Sequence, residues 1–143
     1  MSSPPGDVAT ELELRLVVPG SMSLSVRAGL CYETTDPYAV HVTFHTGSPG
    51  AVRWTFARQL LTDGVTIRSG EGDVSVWPAR SGGRPVVCLS LRSPSGAALF
   101  EAPLDSLVEF LTSTYAVVPT GCESQYVDLD AELSRLLQPG VDW

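Results

Sequence analysis

The sequence predicts an α+β domain built on antiparallel β-sheet, in a β4-α-β4-α-like order with a further helix at the C-terminus. Three observations lead there. Short runs in which apolar and polar residues alternate recur from Glu11 onward, which marks strands with one buried and one wet face. Two later stretches space their apolar residues at helical intervals. The turns between the runs are too short for the crossovers that parallel strands need.

Each element follows from its own residues. ELELRLVV places Leu12, Leu14, Leu16 and Val18 on one face, opposite Glu11, Glu13 and Arg15. After a Pro-Gly-Ser turn, MSLSVRAGLCYE continues the alternation through Met22, Leu24 and Val26. DPYAVHVTFHTG alternates Tyr38, Val40, Val42 and Phe44 with Ala39, His41, Thr43 and His45. AVRWTF aligns Val52, Trp54 and Phe56 as a fourth strand. ARQLLTDG then reads as a short helix, with Gly64 placed for a left-handed C-cap. VTIRS is expected as a short strand, followed by GDVSVWPAR, PVVCLSLRS and AALFEA around the loops SGGR and SPSG. APLDSLVEFLTSTY carries Leu104, Leu107, Val108 and Leu111 on one stripe, with Pro103 suited to the first turn. DLDAELSRLLQPG does the same with Leu129, Leu133, Leu136 and Leu137, stopped by Pro139-Gly140. The domain is expected over residues 9–138, between a Ser/Pro tail at 1–8 and a short tail at 139–143.

Composition removes several function classes. The chain has 143 residues, a net charge of −7 and nine basic residues, all of them arginine. Without lysine there is no Schiff-base nucleophile, no covalent pyridoxal-phosphate site and no P-loop lysine. An acidic chain also lacks the general attraction to phosphate backbones that supports non-specific nucleic-acid binding. Three cysteines without a pairing pattern point to a reducing compartment. No signal peptide and no apolar run of spanning length is evident, so a soluble cytoplasmic protein is expected.

The only two histidines, His41 and His45, stand four apart, the spacing of a zinc-binding helix. On a strand that spacing leaves them roughly 13 Å apart, too far to share an ion. No metal and no cofactor is expected. No G-x-S-x-G elbow accompanies the Ser, Asp and His residues, and no catalytic residue is assigned. The glycine-rich stretches RSGEGD and ARSGGRP match neither phosphate-loop pattern and read as hairpin loops. Cys31, Cys88 and Cys122 have no basic sequence neighbour to activate them. What remains is contact chemistry. Trp54 and Trp77 lie in strands, and Trp77 falls out of step with Val74 and Val76, so both faces of its strand call for cover. Arg58 and Gln59, at the start of the short helix, are expected as exposed polar groups beside the Leu60–Leu61 anchor.

Taken together, ELELRLVVP, AGLCYETTDPYAVHVTFHTG, VRWTFARQLLTDG, GDVSVWPAR and DLDAELSRLL resemble the SsgA-like proteins of sporulating filamentous actinomycetes, from about Glu11 to Leu137. The block DPYAVHVTFHTG followed by W-x-FAR-x-LL-x-x-G is the specific part. The resemblance implies a non-enzymatic regulator of sporulation-specific cell division at the septum, without catalytic residues or cofactor. It implies a branch that recruits the tubulin-like GTPase FtsZ and promotes its assembly, with an SsgA-type paralogue as positioning partner. It further implies a fold like the Whirly single-stranded nucleic-acid-binding proteins, assembled as an oligomer, with a trimer favoured. Binding of single-stranded nucleic acid is the alternative reading, against which the acidic composition counts.

Overall fold

The computed structural model describes residues 7–18, 20, 22–45, 50–70 and 72–126. The predicted C-terminal helix, residues 1–6 of the expected N-terminal tail and the tail at 139–143 lie outside them, while Val8, placed in that first tail, opens a strand. Seven strands form one antiparallel sheet in the order β4-β3-β2-β1-β7-β6-β5. The first meander is β1 (Val8–Val18), β2 (Met22–Tyr32), β3 (Ala39–His45) and β4 (Ala51–Ala57), running from the centre of the sheet to one edge. Helix α1 (Arg58–Gly64) carries the chain to the other edge. The second meander, β5 (Val74–Ser81), β6 (Arg84–Ser93) and β7 (Gly96–Pro103), returns inward until β7 pairs with β1. Helix α2 (Leu104–Val117) and a 3-10 turn over Glu123–Tyr126 follow.

VTIRS is not a strand. Val65 caps α1, Ile67 is exposed, and only Ser69 makes an isolated bridge, to Val76. The second meander therefore has three strands where four were expected. β-branched residues marked a tight turn here because the turn follows directly on a helix end.

This sheet is strongly curled. The rings of Phe44 on β3 and Phe100 on β7 stack at 4.6 Å. Two strands separate β3 from β7, so a flat sheet would hold them roughly 14 Å apart. The edges give the same answer: flat, β4 and β5 would stand roughly 29 Å apart. Yet α1, a helix of about 10 Å, packs against both of them. The curl makes one face concave, and it gathers Leu14, Val26, Val42, Phe44, Leu89 and Phe100 into the core. Helix α2 fills one end of the hollow against β1, β6 and β7.

The buried stripe of α2 is Leu107, Phe110, Leu111 and Thr114, while Val108 is exposed. Two helical stripes fit this sequence, and the structure uses the one that includes a threonine. Thr114 can be buried because its hydroxyl donates to Leu111 O at 2.7 Å. Pro103 sits at the N-cap, just before the first turn.

Gly64 is not a left-handed cap either. It is the last residue of α1, absent from the positive-φ glycines, and buried. A Cβ there would fall inside the van der Waals shell of Val76 Cγ1 and Cβ, so glycine is what lets α1 lie against the β5 edge. Gly64→Ala should destabilise the protein by about 1–3 kcal/mol in urea unfolding, and Gly29→Ala, where open space surrounds the new methyl, should cost less.

Candidate functional site

The four residues expected at a contact surface do not form one patch. Trp54 points to the concave side, stacks with Phe56 at a centroid distance of 6.4 Å and walls a groove of about 280 Å³. Trp77 lies on the opposite, convex side, half-buried, with the Arg68 guanidinium 4.3 Å above its ring. Its cross-strand neighbour is Cys88, while Val76 on the other face is fully buried, so strand alternation had placed Trp77 on the correct face. Gln59 is exposed on α1 and donates from Nε2 to Asp63 Oδ1 at 2.8 Å.

Arg58 requires a correction. It is not an exposed polar group: only 1% of it meets solvent. Its Nη1 donates to Val118 O at 2.9 Å, just past the C-terminal end of α2, and at 3.2 Å to Thr114 O, which also accepts the Val118 N–H at 2.9 Å. Nη2 donates to Glu123 Oε2 at 2.9 Å. The Tyr115 and Tyr32 rings flank the guanidinium at 3.9 and 4.8 Å. The joint is completed by Thr62 Oγ1 and Tyr115 Oη, 2.6 Å apart. Curling brings α1 onto the end of α2, so the first residue of α1 faces inward, where the sequence pattern had it facing water. Gln59 takes the solvent position instead.

Glu123 is fixed as the counter-charge. A hydrogen bond from its own backbone amide, then the Arg58 guanidinium, with a smaller contribution from the Gly121 amide, hold its carboxyl below the ordinary value of 4.5. Gly121 N–H donates to Glu123 Oε1 at 2.9 Å. Nothing in the sequence pairs Arg58 with Glu123, which stands 65 residues away.

The histidines share the convex face. His41 Nε2 lies 3.1 Å from Asp36 Oδ2, and a carboxylate can only accept, so Nε2 donates there, while Nδ1 lies 3.0 Å from Thr55 Oγ1. Cys31 is the cross-strand neighbour of His41, yet burial, Glu33 and Asp7 push its thiol up, away from a reactive thiolate. Burial likewise raises Cys88. Among the described residues no group of three or more His, Cys, Asp or Glu side chains is arranged to hold a metal ion, and no helix is long and apolar enough to cross a membrane.

The described residues thus define an α+β domain, one curled antiparallel sheet with two helices packed against it. The comparisons give that domain a family. Residues 26–123 match the family model described as Streptomyces sporulation and cell division protein, SsgA, and the chain belongs to that family. It is 56% identical over 130 residues to the sporulation-specific cell division protein SsgB of Streptomyces coelicolor, covering 91% of this chain and 95% of that one. The SsgB protein of Frankia casuarinae is 54% identical over 135 residues, 94% of each chain. Among solved structures, the SsgA-like sporulation-specific cell division protein from Thermobifida fusca superposes with a TM-score of 0.83 at 44% identity, over 96% of this chain and all of that one. A structure from work on SsgB mutations and longitudinal cell division during sporulation of Streptomyces coelicolor gives 0.82 at 55% identity, over 84% and 94%.

Two outcomes test the Arg58 joint. Arg58→Leu should destabilise the protein by about 3–5 kcal/mol, since it strands the Val118 carbonyl and a partly buried carboxylate, whereas Gln59→Ala should stay within about 0.5 kcal/mol in the same urea titration. Glu123→Gln should cost about 2 kcal/mol at pH 7. Because the folded carboxyl is held below its unfolded value, the Glu123 contribution is complete above about pH 5 and is lost as pH falls through the folded pKa. The gap between Glu123→Gln and the parent protein should therefore close on acidification, and a gap that widened would contradict this assignment.

Proposed function

We propose that this protein is a non-enzymatic regulator of sporulation-specific cell division, an oligomeric scaffold that helps recruit FtsZ to septum sites and promotes its assembly. The observation that carries this reading is the kinship with SsgB sporulation-specific cell division proteins along more than nine-tenths of the chain. FtsZ as the target, an SsgA-type paralogue as positioning partner, the septum as location and a trimer as the assembly follow from the family resemblance. The physical logic is multivalency. An oligomer presents the same weak patch several times to a polymer of repeated subunits, so the contacts add through effective concentration.

Of the residues proposed for contact, Trp77 on the convex face, Trp54 at the groove and Gln59 on α1 remain accessible to another chain. Arg58 acts indirectly, by holding α1 and hence Gln59 in place.

Co-sedimentation with GTP-assembled FtsZ, at two salt concentrations and beside single-stranded DNA, tests the reading. The expected result is co-pelleting with the polymer and an increase in pelleted FtsZ. Salt-sensitive DNA binding with no effect on FtsZ would replace this reading by nucleic-acid recognition.

A further inference from the structure

The two edges of the sheet are treated differently by the chain. On β5, Val76 exchanges two backbone bonds with Ser69, at 2.8 and 2.9 Å, so the backbone groups facing away from β6 are those of Val74, Val76, Pro78 and Arg80. Val76 is thereby satisfied, and Pro78, next in that row, has no N–H to offer. That edge is interrupted at its middle, although Val74 and Arg80 have no backbone partner on the outer side among the described residues.

β4 is different. Arg58 N–H donates to Tyr38 O at 2.8 Å, in register with the β3–β4 ladder. Counting back in twos turns the backbone groups of Phe56, Trp54 and Val52 toward β3, and those of Ala51, Arg53 and Thr55 outward. None of these three is proline, and among the described residues none has a backbone partner on the outer side.

Both faces beside this edge are shaped for side chains of alternating character. On the concave side, Val52, 48% exposed, and Trp54 border the groove of about 280 Å³, floored by Phe44 and Phe100 and closed opposite by Ala97 and Ala98. On the convex side, neither β3 nor β4 contains an acidic residue, and the carboxylates of Glu33 and Asp36 gather at His41, toward the Thr55 end of the edge. Arg53 is exposed there, opposite Thr43, and His45 stands opposite Arg27.

We propose that the outer edge of β4 is a docking site for an extended segment of a partner protein, which adds as an eighth strand with apolar side chains in the groove and alternate acidic side chains over Arg53. The unpaired backbone row supplies affinity, the groove selects apolar residues at every second position, and exposed Arg53 selects a carboxylate between them. The inference does not depend on FtsZ being the partner, since it concerns the chemistry of the segment that fits.

The test uses the full chain and a labelled seven-residue peptide in which leucine alternates with glutamate. In the free protein, amide hydrogen exchange should be at least about tenfold faster at Arg53 and Thr55 than at Trp54 and Phe56, and the peptide should slow the first pair. By fluorescence anisotropy, Arg53→Glu should weaken binding about tenfold or more, Arg53→Pro should abolish it, and Arg84→Glu, away from β4, should leave it unchanged. A leucine–lysine peptide should bind less well than the glutamate one. Slow exchange at Arg53 and Thr55 in the free protein would mean that a second copy or another part of the chain already occupies the edge, and would overturn the proposal. So would equal binding of the lysine peptide, or undiminished binding to Arg53→Glu.

Discussion

Arg58 carries a permanent charge into a site where almost none of it meets water, and so many elements converge on that charge that their positions are set together. Its planar fork reaches two carbonyls at the end of α2 and the carboxylate of Glu123 on the following turn, while Tyr32 from β2 and Tyr115 from α2 close over its faces. A lysine could not make this set of contacts, because it offers a point charge and not a rigid fork. Nε of Arg58 has no hydrogen-bond partner among the described residues, so the stabilisation comes through Nη1, Nη2 and the flanking rings. A helix of seven residues such as α1 is marginal on its own, and it has no side-chain N-cap. It persists because its first residue is pinned by this joint and its last lies against Val76.

The curl of the sheet and this joint are two aspects of one arrangement. Chain order makes β4 and β5 consecutive, sheet order makes them opposite edges, and only a bent sheet reconciles the two with so short a helix. Bending also decides what the surface offers. It folds Phe44 onto Phe100, leaves a groove beyond them that α2 does not reach, and spreads Arg53, His45 and Trp77 over the outer side.

Local patterning sufficed where each decision was local. Alternation located six of the seven strands by their own residues, with AALFEA the seventh, and it put Trp77 opposite Val76 because side-chain direction in a strand is a matter of parity. It failed where the deciding neighbour was distant. Arg58 looks like a solvent-facing residue until α2, some 56 to 60 positions later, presents its carbonyls. Gly64 has the position of a helix cap, and its real reason is Val76. Val65 and Ile67 have the composition of a strand but no partner strand to pair with, and α2 could have buried either of two stripes until Thr114 found a local acceptor. For the surface, sequence could nominate tryptophans; it could not say that Trp54 and Trp77 look in opposite directions from one sheet.

The interruption of the β5 edge by Ser69 and Pro78 has a consequence for how copies of this sheet could join. Growth of a fibre by strand pairing needs two reactive ends on every unit, as a linear polymer needs bifunctional monomers. With β5 interrupted at its middle, the described residues leave β4 as the uninterrupted edge: two copies could meet β4 to β4 and would then have no second such edge to offer. In strand pairing with its own kind, a sheet built this way acts as a chain terminator.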